Sequence, residues 1–162
     1  MLKAHIALAS ARLPQGVSGN AADIICRSVM WRRGLDYKHG TGHGVGCFLN
    51  VHEGPQNFSL HASSYPLAEN MIVSIEPGYY RENAFGIRIE NLARIVVDEE
   101  SGMLKFAVLT LAPLDKRLID KYLLTDEEIS WLNDYHRDVL QKVSPYLTEE
   151  EKIWLKEACS SL

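Results

Sequence analysis

Apolar and polar positions alternate with different periods along the chain, and each change of period marks an element. Leu2, Ile6, Ala9 and Leu13 share one helical face, and Pro14 to Gly16 stops it. Ser18 or Asn20 is placed to cap a second helix over 21–33 that carries Ile24, Ile25, Val29 and Met30. Gly34 stands where a left-handed C-terminal cap is expected. Residues 39–46, His-Gly-Thr-Gly-His-Gly-Val-Gly, hold glycine at every second position, which excludes a stable helix and predicts a loop or a closely approached strand. A strand is expected over Val45–Val51, loop over 53–68, and a buried strand over Met71–Ile75 that ends at Glu76-Pro77-Gly78. The alternation from Ile87 to Val97 predicts the longest strand, Asp98 to Gly102 a turn, and Leu104 to Leu111 its antiparallel partner.

After Pro113 the period becomes helical. Thr125-Asp-Glu-Glu128 is a capping box opening a helix to about Val143, with Ile129, Leu132, Val139, Leu140 and Val143 on one side. Thr148-Glu-Glu-Glu151 is a second box, opening a helix with Ile153, Trp154, Leu155 and Ala158. The order predicts an α+β fold with a mostly antiparallel sheet, one domain over 1–112 and a helical extension over 113–162.

Composition narrows the function classes. With 162 residues, 46 % hydrophobic and 23 % charged, the chain is an ordinary globular sequence. Its net charge of −4 gives no electrostatic footprint for nucleic acid. No apolar run approaches the ~18 residues of a membrane helix. Cys26, Cys47 and Cys159 are odd in number and widely spaced, so neither a disulfide framework nor a cysteine-rich zinc site is indicated, and a cytoplasmic setting is expected.

The chemistry-bearing residues cluster in the strand region: His39, His43, His52, Glu76 and Glu90. The glycines beside His43 are expected to let a metal or substrate approach the backbone. Glu76 ends an apolar strand, a costly place for a carboxylate unless it is paired or metal-bound. One imidazole and two carboxylates suit Mn²⁺, Zn²⁺ or Co²⁺. Against this stand plainer readings: His5, His61 and His136 as structural or exposed histidines, Arg88 and Glu90 as a same-face ion pair, and Cys47 as a small packed residue. Trp31, Trp131 and Trp154 are expected as core or interface anchors. A P-loop is excluded because no Lys-Ser/Thr follows the glycines.

Four ordered blocks carry a resemblance: His39-Gly-Thr-Gly-His-Gly-Val-Gly46, Asn50-Val-His-Glu-Gly-Pro55, Glu76-Pro-Gly-Tyr-Tyr80 and Gly86-Ile-Arg-Ile-Glu-Asn91. Together they resemble Xaa-Pro aminopeptidases of the methionine aminopeptidase/prolidase superfamily, and the likeness runs through the helical extension. The resemblance implies a partial pita-bread fold and hydrolysis of an N-terminal Xaa-Pro bond in a peptide with proline at its second position. It implies His43, Glu76 and Glu90 as three of five ligands of a centre that holds two divalent ions, Mn or Zn, with Glu90 bridging and Glu76 also handling the proton of the nucleophilic water. His39 and His52 would hold substrate and stabilise charge, Arg88 would support the site, and residues 113–162 would contribute to a homodimer.

The remaining two ligands of the family are aspartates in an Asp-x-Gly…Asp pattern, which these residues do not contain. Asp23 falls in a predicted helix and Asp36 in a turn, so neither takes that role. The chain is therefore expected to be the C-terminal part of a catalytic domain, inactive or nearly so alone, holding at most one ion, and completed by an upstream segment. The alternatives are an inactive binding or assembly module that keeps the fold, and a three-ligand metal protein that is not a peptidase.

Overall fold

A computed structural model describes residues 1–48, 50–61 and 64–162. Two compact units form, Met1–Thr110 and Leu111–Leu162.

In the first unit, α1 (Leu2–Ala9) and α2 (Gly19–Trp31) pack together. Ser18 is the extended residue before α2, and Gly34 has a φ of 65° beyond its end. The central sheet has three antiparallel strands in the order β3 (Ile72–Ile75), β6 (Asn91–Val97), β7 (Leu104–Val108). Two two-stranded ladders flank it: β1 (Gly42–His43) with β2 (Asn57–Phe58), and β4 (Gly78–Arg81) with β5 (Phe85–Arg88). Every pairing is antiparallel, as the alternating pattern requires. Along β6 the odd positions Asn91, Ala93 and Ile95 point into the core, and α1 packs near β3 and β7. Ile6, Leu8, Cys26, Phe58, Val73, Ile75, Ile95 and Leu104 form that core.

Three expectations are corrected. No strand spans Val45–Val51 among the described residues; Leu49 lies outside them. The chain turns back instead, with the Gly46 N–H on the Asn50 carbonyl at 2.9 Å and the Glu53 N–H on the Gly44 carbonyl at 2.9 Å. The loop over 53–68 contains β2, which pairs with β1. The long strand over Ile87–Val97 is two strands, β5 and β6, separated at Ile89 and Glu90. Its partner is interrupted at the same level, where Pro77 lacks the N–H that would continue β3 into β4.

The second unit begins with two short 3-10 turns and then α3 (Asp126–Val143) and α4 (Glu149–Ala158). Both capping boxes form as expected, through Thr125 with Glu128 and Thr148 with Glu151. Leu132, Val139 and Leu155 are buried, whereas Ile153 and Trp154 face solvent. Buried His136 accepts the Leu114 N–H at 3.0 Å, and burial is the main cause that lowers its pKa.

Candidate active site

The site lies on the sheet face opposite α1. Gly42 and His43 pass so close to β3 that a Cβ on Gly42 would stand 1.9 Å from the Ser74 carbonyl oxygen. One on Gly44 would stand 2.0 Å from that of Glu53. These glycines therefore admit neighbouring backbone, not a metal or substrate as the sequence alone suggested. The close approach delivers His43 to Glu76: Nε2 lies 2.8 Å from Oε1. His43 Nδ1 faces the Gly44 carbonyl at 2.8 Å and must donate to it, which leaves Nε2 a lone pair. Two lone-pair atoms facing each other at this distance need a proton or a cation between them.

Ser74 ties the pair together. Its hydroxyl donates to Glu76 Oε1 at 2.9 Å and accepts the His43 N–H at 3.0 Å. It is the one polar side chain in the run Met71–Ile75, and that interruption was the available signal for it. The Glu76 N–H donates to the Thr41 carbonyl at 2.7 Å. Arg88 does not pair with Glu90; its Nε lies 3.8 Å from Glu76 Oε2, and its guanidinium sits 5.7 Å from the Tyr80 ring centroid.

Glu90 is exposed and lies outside the strands, but the sheet register fixes its place. Ile75 pairs with Asn91 in one ladder and Gly78 with Arg88 in the next. Two residues intervene on each side, so the register passes through unbroken, with Glu76 opposite Glu90 and Pro77 opposite Ile89. The Ile89 N–H does reach the Pro77 carbonyl, at 3.3 Å. Like charges directly across a ladder repel, and a shared cation relieves the repulsion.

His39 adjoins Gly78, two residues beyond Glu76, and His52 adjoins His43. Each His39 ring nitrogen faces a carbonyl, Nδ1 that of Gly40 at 2.7 Å and Nε2 that of Gly78 at 3.1 Å. The His52 ring lies 4.2 Å from the His43 ring, centroid to centroid. Cys47, expected to pack, is exposed. His5 is wholly buried and His61 exposed. Trp31 and Trp154 are largely exposed, and Trp131 stacks on Tyr135 with ring centroids 5.6 Å apart.

Behind the histidine loop lies a polar network that the sequence reading missed. Arg27, 3 % exposed, donates from Nε to Asp23 at 2.7 Å, and from its two other nitrogens to the carbonyls of Tyr37 and His39, both at 2.6 Å. Asp23 also accepts from the Thr41 hydroxyl, which meets the Tyr37 phenol. Burial, first of its causes, pushes the Tyr37 phenol pKa well up, and burial raises the Cys26 thiol to about 11. The signal available was Asp23 and Arg27 at i and i+4, on the helix face that also holds buried Ala22 and Cys26.

The donor set fits a divalent ion of intermediate hardness: an imidazole Nε2 fixed by its Nδ1 bond, a carboxylate beside it, and a second carboxylate opposite. Among the described residues no three His, Cys, Asp or Glu side chains gather closely enough to hold an ion unaided.

The comparisons agree with this chemistry. Residues 1–98 match the sequence model of metallopeptidase family M24, and residues 102–162 that of the C-terminal region of peptidase M24. The chain belongs to metallopeptidase family M24. Aminopeptidase P1 of Lotus japonicus is 48 % identical over 98 % of this chain and 25 % of its own length. The solved X-prolyl aminopeptidase of Caenorhabditis elegans, described as a cytosolic enzyme with a di-nuclear active site, superposes with a TM-score of 0.92. That match is 43 % identical and covers 99 % of this chain and 28 % of the other. The prolidase of Pyrococcus horikoshii OT3 gives a TM-score of 0.54 at 31 % identity over 65 % of this chain and 28 % of its own. The fold is thus a partial pita-bread fold, and the chain spans about a quarter of the length of the relatives it matches.

Proposed function

We propose that this chain supplies the carboxylate and histidine half of a Xaa-Pro aminopeptidase site, which acts on peptides with proline at the second position. The observation that carries the reading is the register that sets Glu76 opposite Glu90 while His43 Nε2 lies 2.8 Å from Glu76. His43, Glu76 and Glu90 would hold a divalent ion, Mn or Zn, and Glu90 would be the ligand shared with a second ion. A bound ion supplies a water nucleophile near neutral pH and polarises the peptide carbonyl. Glu76, steadied by Ser74, would take up the proton of the nucleophilic water at its carboxylate and return it to the leaving proline nitrogen. His39 and His52 flank this position and stabilise negative charge on substrate oxygen, and Arg88 steadies Glu76 from its other oxygen.

The two aspartates of the family pattern are absent from these 162 residues, so the complete centre needs ligands from a longer chain or a partner. The chain alone then holds at most one ion and has little or no peptidase activity. A cytoplasmic location and a homodimer held in part by residues 113–162 go with this reading; no helix is long and apolar enough to cross a membrane among the described residues.

Metal analysis and an Xaa-Pro peptide assay on the purified chain test the proposal. The expected result is one Mn²⁺ or Zn²⁺ at most, lost in His43→Ala, with no robust release of the first residue. Robust cleavage free of contaminants, or unchanged metal content in His43→Ala, refutes it. Light scattering tests the dimer, which a clean monomer mass excludes. The lack of a three-residue metal cluster among the described residues favours a second reading, an inactive assembly module; no specific metal uptake by wild type would select it.

A further inference from the structure

Directly behind the paired carboxylates, on the opposite face of the sheet, lies a wholly buried histidine that the site chemistry does not use. His5 projects from α1, and its Nε2 lies 3.2 Å from the Asn91 Nδ2, with Asn91 itself 1 % exposed. The backbone of Ile89 and of Ile75 lies against the same ring, and each acts on its protonation. Each of these three contacts is the sequence neighbour of a carboxylate: Ile75 precedes Glu76, Ile89 precedes Glu90, and Asn91 follows it. Ile75 and Asn91 are also the last pair of the β3–β6 ladder before the interruption. One imidazole therefore spans both strands where regular pairing stops.

We propose that His5 is a positioning residue that sets the separation of Glu76 and Glu90 from behind the sheet. The inference rests on the reading of those two residues as a metal-holding pair. The physical need is plain. A regular ladder holds opposed residues at fixed separation through its own hydrogen bonds, and Pro77 removes one donor from this stretch. Between the two arms at 76–77 and 89–90 the backbone bond is that from Ile89 to Pro77, since the Glu76 N–H turns to Thr41 instead, and the stretch needs a clamp. His5 provides one because its rigid ring accepts the Asn91 side-chain N–H from β6 while packed against the backbone of Ile75 and Ile89. Burial keeps that ring neutral, lowering its pKa to about 4, so that Nε2 keeps its acceptor role at neutral pH. Hydrogen bonds that orient ligands from outside the coordination shell are worth about 10–100-fold in metal affinity when lost.

Two readouts on the full chain test this, with His5→Phe removing the bond to Asn91 and His5→Gln keeping an acceptor for it. The first is amide hydrogen exchange without metal. The expected result is that the Ile89 amide exchanges about tenfold faster or more in His5→Phe while Val73 and Ala93, in the middle of the ladder, keep their rates. In His5→Gln, Ile89 should stay near wild type. If His5→Phe does not fold, Asn91→Leu breaks the same contact from β6 and should give the same local pattern. An unchanged Ile89 amide, or equal acceleration of all three, overturns the proposal and leaves His5 a core filler. The second readout is Mn²⁺ titration, in which affinity should fall about tenfold or more in His5→Phe and return in His5→Gln. Unchanged affinity also overturns it. A wild-type chain that takes up no Mn²⁺ refutes the metal reading instead, and the exchange pattern still decides the role of His5.

Discussion

The two sides of the site are built differently. On the inner side, His39, His43 and Glu76 are each held by short bonds to buried groups: Arg27 on the His39 carbonyl, Ser74 on both His43 and Glu76, and Thr41 on the Glu76 amide. On the outer side, the β4–β5 hairpin carries Tyr80, Phe85 and Ile87, and Phe48 and Val51 lie near the histidines, all five exposed. Groups proposed to move protons or hold charge need fixed geometry, and the chain secures these side chains from its own core. Groups that only offer apolar surface are left uncovered by these 162 residues. Electrostatic precision is intrinsic to this chain, while these apolar side chains are not covered by its described residues.

The comparison can be broken most severely at the Arg27 network. Arg27→Met leaves Asp23 buried without its cation, which should cost about 3–5 kcal/mol. Chemical denaturation measures it, and a loss under about 1 kcal/mol would mean the inner side does not depend on that pair. Next in size is acid sensitivity through His5. Its folded pKa is lowered from 6.5 to about 4, chiefly by burial. The unfolded chain therefore takes up a proton first as pH falls, and the His5 contribution is complete above 6.5 and lost on descent through about 4. That contribution is about 3 kcal/mol, and it should flatten in the pH profile of a folded His5→Gln variant if Gln avoids the charge. The smallest effect is expected on the outer side, where Phe48→Ser and Ile87→Ser should each change stability by less than about 0.5 kcal/mol. A loss above about 1 kcal/mol in either would show that this wall is packed after all.

Elements set by local signals were legible in the sequence. Both capping boxes, the Met71–Ile75 strand and the helix around Ile24 to Met30 follow from residues within a few positions of one another. The division of Ile87–Val97 was not legible, because alternation continues through Ile89 and Glu90 while the cause of the break, Pro77, sits on the other strand. The β4–β5 hairpin was hidden for a related reason: Glu76-Pro77-Gly78 reads as an ending. Its own signal was Tyr79 and Phe85, whose rings meet diagonally with centroids 6.2 Å apart, across a short turn whose Asn83 adopts a φ of 55°. His43 and Glu76 were legible from their residue types and settings, Arg88 as a support only through the resemblance, and the three do adjoin. Their supports, Ser74, Arg27 and His5, are ordinary residues of a strand and two helices, and only the tertiary fold reveals which backbone they hold.

The unbroken register has a consequence for which lengths of chain this protein can tolerate. From Ile75 to Asn91 the two arms mirror each other, and the tip at Glu82–Ala84 lies outside the pairing. Residues added at the tip leave the phase of both arms untouched, so the hairpin can lengthen without disturbing the carboxylates. A single residue inserted between Glu76 and Gly78 has no such freedom, since it slips one arm by a position and turns alternate side chains to the wrong face. Only matched insertions, one on each arm, would restore the phase. Length variation in this segment is therefore governed by parity, with the tip silent and the pinched middle permitting change only in pairs.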